Sequence, residues 1–142
     1  MVADVSSDRM RYISLLERMT DAVVVDCLVE NEFDRVVYIV KPGEMGKAIG
    51  KGGANINRVR KSIDKEVEII EYSDDPQEFI ENAFQPASID NVDIEQEGDL
   101  TLAKVDVSKD DKGLAIGKSG RNIGKVKKLS SKHFDIDEVI IN

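Results

Sequence analysis

The sequence has no tryptophan, one cysteine, one histidine and three prolines, and its aromatic side chains are three tyrosines and four phenylalanines. One cysteine, Cys27, excludes an internal disulfide. With a single histidine, His133, it also excludes any zinc site built on Cys/His spacing. A reducing, cytoplasmic setting fits that cysteine usage. The scarcity of aromatics argues against a reader that stacks bases on ring faces. No apolar run is long enough for a membrane span. The start, Met1-Val2-Ala3-Asp4, lacks the basic and apolar parts of a signal peptide. No Ser/His/Asp set, metal-ligand cluster or paired carboxylates stands out, so no catalytic residue, metal or cofactor is expected and the chain does not read as an enzyme.

Negative charge is in excess. Twenty-eight acidic residues against 20 basic ones give a formal net charge of −8. That balance disfavours a polyanionic partner, but the distribution reverses the reading. Residues 41–65 hold seven basic side chains against two acidic ones, and residues 112–132 hold seven against none. The body is therefore acidic and carries two basic stripes, a pattern that focuses anions at two places.

Each stripe contains a glycine loop. Ile49-Gly50-Lys51-Gly52-Gly53-Ala54-Asn55-Ile56 has a near copy at Ile116-Gly117-Lys118-Ser119-Gly120-Arg121-Asn122-Ile123, 67 residues later. At that offset residues 46–61 and 113–128 agree at ten of sixteen positions. The chain is thus two copies of one unit, residues 1–73 and 74–142.

The elements repeat too. Tyr12, Ile13, Leu15, Leu16 and Met19 mark a helix over 8–20. Val23–Val29 and Phe33–Val40 read as a hairpin closed at Glu30-Asn31-Glu32. A short helix near 44–49, the loop, a helix to Ile63, and a strand with Val67, Ile69 and Tyr72 alternating complete the unit. Asp75-Pro76 starts the next helix, whose apolar face is Phe79, Ile80, Ala83 and Phe84. A hairpin over 87–107, a short helix at 112–116, a helix at 121–132 and a strand at 136–141 follow. One position differs in kind: Val37 and Ile39 make Phe33–Val40 apolar on both faces, whereas Leu100–Val107 has Lys104 and Asp106 there. A strand apolar on both faces is expected to be covered on both.

Glycines at a helix start admit an anion to backbone N–H groups. Lys51 and Lys118 are placed to reach a phosphate, and Arg58, Arg60, Lys125 and Lys128 extend the positive field. A nucleotide-binding P-loop is disfavoured, because Gly113-x-x-x-Gly117-Lys118-Ser119 is one residue short and the first copy has Gly52 in the hydroxyl position. Asn55 and Asn122 have three roles open: helix cap, backbone bond or base contact.

An Ile-Gly-x-x-Gly loop between two helices, after a hairpin, resembles the KH fold, whose loop clamps four backbone nucleotides. Its occurrence twice, in helix-strand-strand-helix-helix-strand order, resembles two tandem type II KH domains. The implied class is α+β, each domain a three-stranded mixed sheet backed by three helices. The adjacent pair resembles the NusA family of transcription factors, in the short archaeal form without further domains. That resemblance implies single-stranded RNA as partner, held in one groove across both units, and a role in termination or antitermination. RNA polymerase or other transcription factors are further partners it implies; no membrane is, and a monomer is expected. The RNA-contacting set is then Ile49, Gly50, Lys51, Gly52, Gly53, Asn55, Arg58, Ile116, Gly117, Lys118, Ser119, Gly120, Arg121, Asn122 and Lys125. The alternative is a protein adaptor that uses the same fold without RNA.

Overall fold

A computed structural model describes residues 5–142. The chain divides into two compact units, and the division falls between Tyr72 and Ser73. The first contains α1 (Val5–Thr20), β1 (Val24–Glu30), β2 (Arg35–Val40), α2 (Met45–Ile49), α3 (Ala54–Ile63) and β3 (Glu66–Glu71). The second contains α4 (Pro76–Phe84), β4 (Ile89–Glu97), β5 (Leu100–Val107), α5 (Lys112–Ile116), α6 (Arg121–Phe134) and β6 (Glu138–Ile141). Each unit is an α+β domain with one three-stranded mixed sheet, ordered β1-β2-β3 and β4-β5-β6. The hairpin pair is antiparallel and the last strand runs parallel to the central one. A parallel neighbour needs a crossover, and the α2–loop–α3 and α5–loop–α6 segments supply it.

Local chemistry sets the boundaries. The α1 helix begins at Val5, earlier than the apolar spacing indicates. A one-turn helix at Asn31–Phe33, closed by Asp34 at φ 51°, delays β2 to Arg35. Asp75 caps α4, its Oδ1 accepting from the Gln77 N–H at 3.1 Å, with Pro76 at the first helical position. The α6 helix runs two residues beyond Lys132, and Asp135 ends it at φ 54°.

In the first unit, Leu16, Cys27, Val36, Tyr38, Val40, Ala48, Ile56, Val59 and Val67 form one buried cluster. The Tyr38 hydroxyl donates to the Tyr12 carbonyl at 2.9 Å, and burial pushes its pKa up. In the second, Phe79, Ile80, Ala83 and Phe84 are fully buried, and Phe79 packs at 5.4 Å from Phe134 and 5.7 Å from His133. The expected pattern of β3 needs correction. The strand ends at Glu71, and its buried residues are Val67 and Ile70, which lie beside Val36 and Ile39 on opposite faces of β2.

All six residues of β2 are buried, so both of its faces are covered. Arg35 is buried with them, its Nε bonded to Glu30 Oε1 at 2.9 Å, its Nη2 on the same oxygen and its Nη1 3.2 Å from Glu68. Sequence patterning misses this ion pair, because Glu30, Arg35 and Glu68 become neighbours only through strand pairing. In the second unit Lys104 is instead half-buried, 2.8 Å from Glu95 and 3.7 Å from Glu97. Val37→Lys should lower stability by about 3 kcal/mol or more, because a lone charge cannot be buried there. Lys104→Val should leave the urea midpoint nearly unchanged, since a partly exposed ion pair contributes little.

Candidate nucleic-acid interface

The chain reverses between α2 and α3, and again between α5 and α6, through the same backbone path. Gly50 has φ 76°, ψ 169° and Gly117 has φ 76°, ψ 166°. Gly52 and Ser119 follow at φ 63° and 58°, then Gly53 and Gly120 at φ 80° and 71°. These left-handed angles favour glycine. Space adds a second demand at the first glycine. A Cβ on Gly50 would lie 2.8 Å from the Asn55 backbone nitrogen, and one on Gly117 would lie 2.8 Å from that of Asn122. The following helix therefore begins directly against these glycines. A Cβ on Gly52 or Gly120 would meet nothing within 4 Å, whereas one on Gly53 would touch Asn57 Nδ2 at 3.5 Å.

The asparagines close the turn. Asn55 Nδ2 donates to the Lys47 carbonyl at 2.7 Å, and Asn122 Nδ2 donates to the Leu114 carbonyl at 3.1 Å. Lys47 and Leu114 are repeat-equivalent, so both copies keep one bond across the loop. Asn122 also donates to the Ala115 carbonyl at 3.3 Å and the Phe84 carbonyl at 2.8 Å. Of the three roles open to these residues, the structure shows the backbone bond.

The surface around each turn suits an anion. No acidic residue occupies the first turn of α3 or α6, whose N-terminal dipole ends face the loops. Lys51, Gly52, Lys118, Ser119 and Arg58 are exposed. Ile49 is half-buried and Ile116 exposed, which leaves apolar surface just before each first glycine. Arg121 is half-buried, with Nε inside the fold. Two residues of the expected RNA-contacting set are corrected. Asn122 is buried and spent on three carbonyls, and Lys125 is fully buried, with Nζ 3.5 Å from the Gln85 carbonyl. Both side chains hold the C-terminal end of α4 instead of facing the solvent side. Sequence reading missed this because the repeat equates Lys125 with the exposed Arg58.

Arg60 and Lys127, in the same stripes, are tied to the protein. Arg60 donates to the Val67 carbonyl at 3.1 Å and to Asn57 at 3.0 Å. Lys127 pairs with Glu138 at 3.0 Å and holds that carboxyl below the usual carboxylate range. Among the described residues there is no His/Cys/Asp/Glu group able to hold a metal, and no helix long and apolar enough to cross a membrane.

The α-β-β-α-α-β order, the mixed sheet and the glycine turn between the paired helices define each unit as a type II KH domain. Comparison with known proteins agrees: residues 10–74 match the KH domain model, and residues 76–142 match the NusA-like second KH domain. The chain is 40% identical to the "Probable transcription termination protein NusA" of Halobacterium salinarum, over 98% of both chains. It is 32% identical to the protein of the same name from Methanocaldococcus jannaschii, over 94% of this chain and 72% of that one. The crystal structure of APE1850 has a TM-score of 0.84 and 34% identity, covering 96% of this chain and 99% of that one. The chain belongs to the NusA family, and its two units are KH domains.

The geometry ranks substitutions. Gly50→Ala and Gly117→Ala should each cost about 2 kcal/mol or more, from the left-handed angle and the clash together. Gly46→Ala, in open space on α2, should stabilise by about 0.5 kcal/mol. Asn122→Ala should cost about 2 kcal/mol and Asn55→Ala about half that. Thermal or urea unfolding of each variant checks the order.

Proposed function

We propose that this protein binds single-stranded RNA by clamping its sugar-phosphate backbone at the two Gly-x-x-Gly turns, and that it acts without catalysis in transcription termination or antitermination. One observation carries the RNA reading: the two turns have matching dihedral angles, and each sits at the start of a basic helix with no acid in its first turn. Open backbone, a helix N-terminus and an exposed lysine together suit a phosphate and do not read base identity. The termination role draws its support from the relatives, which carry that name. RNA polymerase and its associated factors are the protein partners this role implies, and the protein acts as a monomer.

Titration with short single-stranded RNA at several salt concentrations tests it. Binding should weaken as salt rises, with a log–log slope of about −0.7 per neutralised phosphate. Changing Lys51, Gly52, Lys118 and Ser119 together to Asp should abolish binding and leave the fold intact. Aspartate suits the left-handed positions, since Asp21, Asp34, Asp64 and Asp135 already adopt positive φ. Binding that survives the four changes would place the site elsewhere. Failure of the wild type to bind any RNA pool at low salt would favour a protein adaptor.

A further inference from the structure

We infer that the two clamps are unequal: the first unit is the principal phosphate site, and Arg58 is the residue that makes it so. This inference rests on the RNA-backbone reading above. The loops themselves are near copies that differ at their centre, Gly52 against Ser119, so the larger part of any inequality must come from what surrounds them. Arg58 and Lys125 occupy equivalent positions, 67 residues apart, on the helix that leaves each loop. Their environments are opposite. Arg58 is exposed, and its Nη1 lies 3.5 Å from Asn55 Oδ1, which turns the guanidinium back toward the loop. Lys125 has no solvent exposure, and its ammonium is directed to the Gln85 carbonyl.

A phosphate that reaches the first loop therefore meets Lys51, then Arg58 one turn along α3, then Lys61. All three are exposed, and none forms an ion pair among the described residues. A phosphate at the second loop meets Lys118 and the half-buried Arg121, but the cation equivalent to Arg58 is inside the protein. To reach RNA, Lys125 would have to leave the carbonyl end of α4 and open the core beneath it. Lys127, two positions further, is committed to Glu138. The loop centre differs in the same sense. Gly52 has no side chain, and nothing lies within 4 Å of the point where a Cβ would stand, whereas Ser119 places a side chain at the equivalent point. The first loop thus offers closer backbone approach and, in Arg58, an exposed cation where the second unit has a buried one.

The test compares matched variants of the full chain in RNA titrations over a salt series. Arg58→Gln should reduce the magnitude of the log–log salt slope by about 0.7, the loss of one phosphate contact on a single strand. Lys125→Met should leave the slope unchanged and lower the unfolding temperature instead, which is read by circular dichroism on the same samples. Lys51→Asp with Gly52→Asp should raise Kd more than Lys118→Asp with Ser119→Asp. Equal slope losses for Arg58→Gln and Lys125→Met would overturn the inference. So would a second-loop double variant that costs as much affinity as the first-loop one. If no variant, including the fourfold aspartate change, alters binding, the RNA-backbone reading itself falls and this inference falls with it.

Discussion

The feature on which both units depend is the close approach of a helix start to a glycine. Space for a Cβ is missing at Gly50 and Gly117, where the next helix begins 2.8 Å from the would-be atom. That approach fixes the reversal between the paired helices. The reversal in turn lets the last strand return parallel to the central one and closes the mixed sheet. The same approach leaves the middle of the turn standing outward, with its lysine in solvent. The fold and the proposed phosphate contact therefore use one geometric constraint. The glycine that permits the crossover also sets backbone amides and a cation where a phosphate can meet them.

Repetition allowed the two copies to divide their chemistry. The cross-loop asparagine bond survives in both, yet Asn122 has two further carbonyl partners. The helix cation points outward in one copy and inward in the other. The sheets differ likewise. The first unit buries Arg35 between carboxylates at the base of a fully covered strand, whereas the second keeps Lys104 on a half-open face among glutamates. A buried ion pair contributes less to net stability than to the definition of one arrangement. Its position beside the hairpin turn fits that role, since Glu30 and Arg35 pair across the two strands.

Much of this is legible in the residues. The 67-residue repeat, the hairpins and the helix faces follow from periodicity, and the glycine loops follow from identity. Asp75-Pro76 announces α4 through capping chemistry, and Asp75 does cap it. What is not legible lies in contacts between segments distant in the chain. The ion pair of Arg35 with Glu30 and Glu68 forms only when three strands align. Lys125 reads as a surface cation because the repeat equates it with Arg58 in a basic stripe, and only the packing of α4 on α6 turns it inward. The alternation of Val67, Ile69 and Tyr72 misses Ile70, because a strand beside a sheet centre covered on both faces has no single buried phase. Positive φ at Asp34, which delays β2, has no signal in the apolar pattern.

RNA that meets the chain at the two glycine turns must perturb the amides there. The most direct measurement is an amide chemical-shift map recorded while a short single-stranded RNA is titrated into isotope-labelled protein. The largest changes should fall on the backbone amides of residues 50–55 and 117–122, with smaller ones along α3. Changes confined to the sheet faces, or loop amides that stay still while RNA binds, would contradict a clamp at the turns.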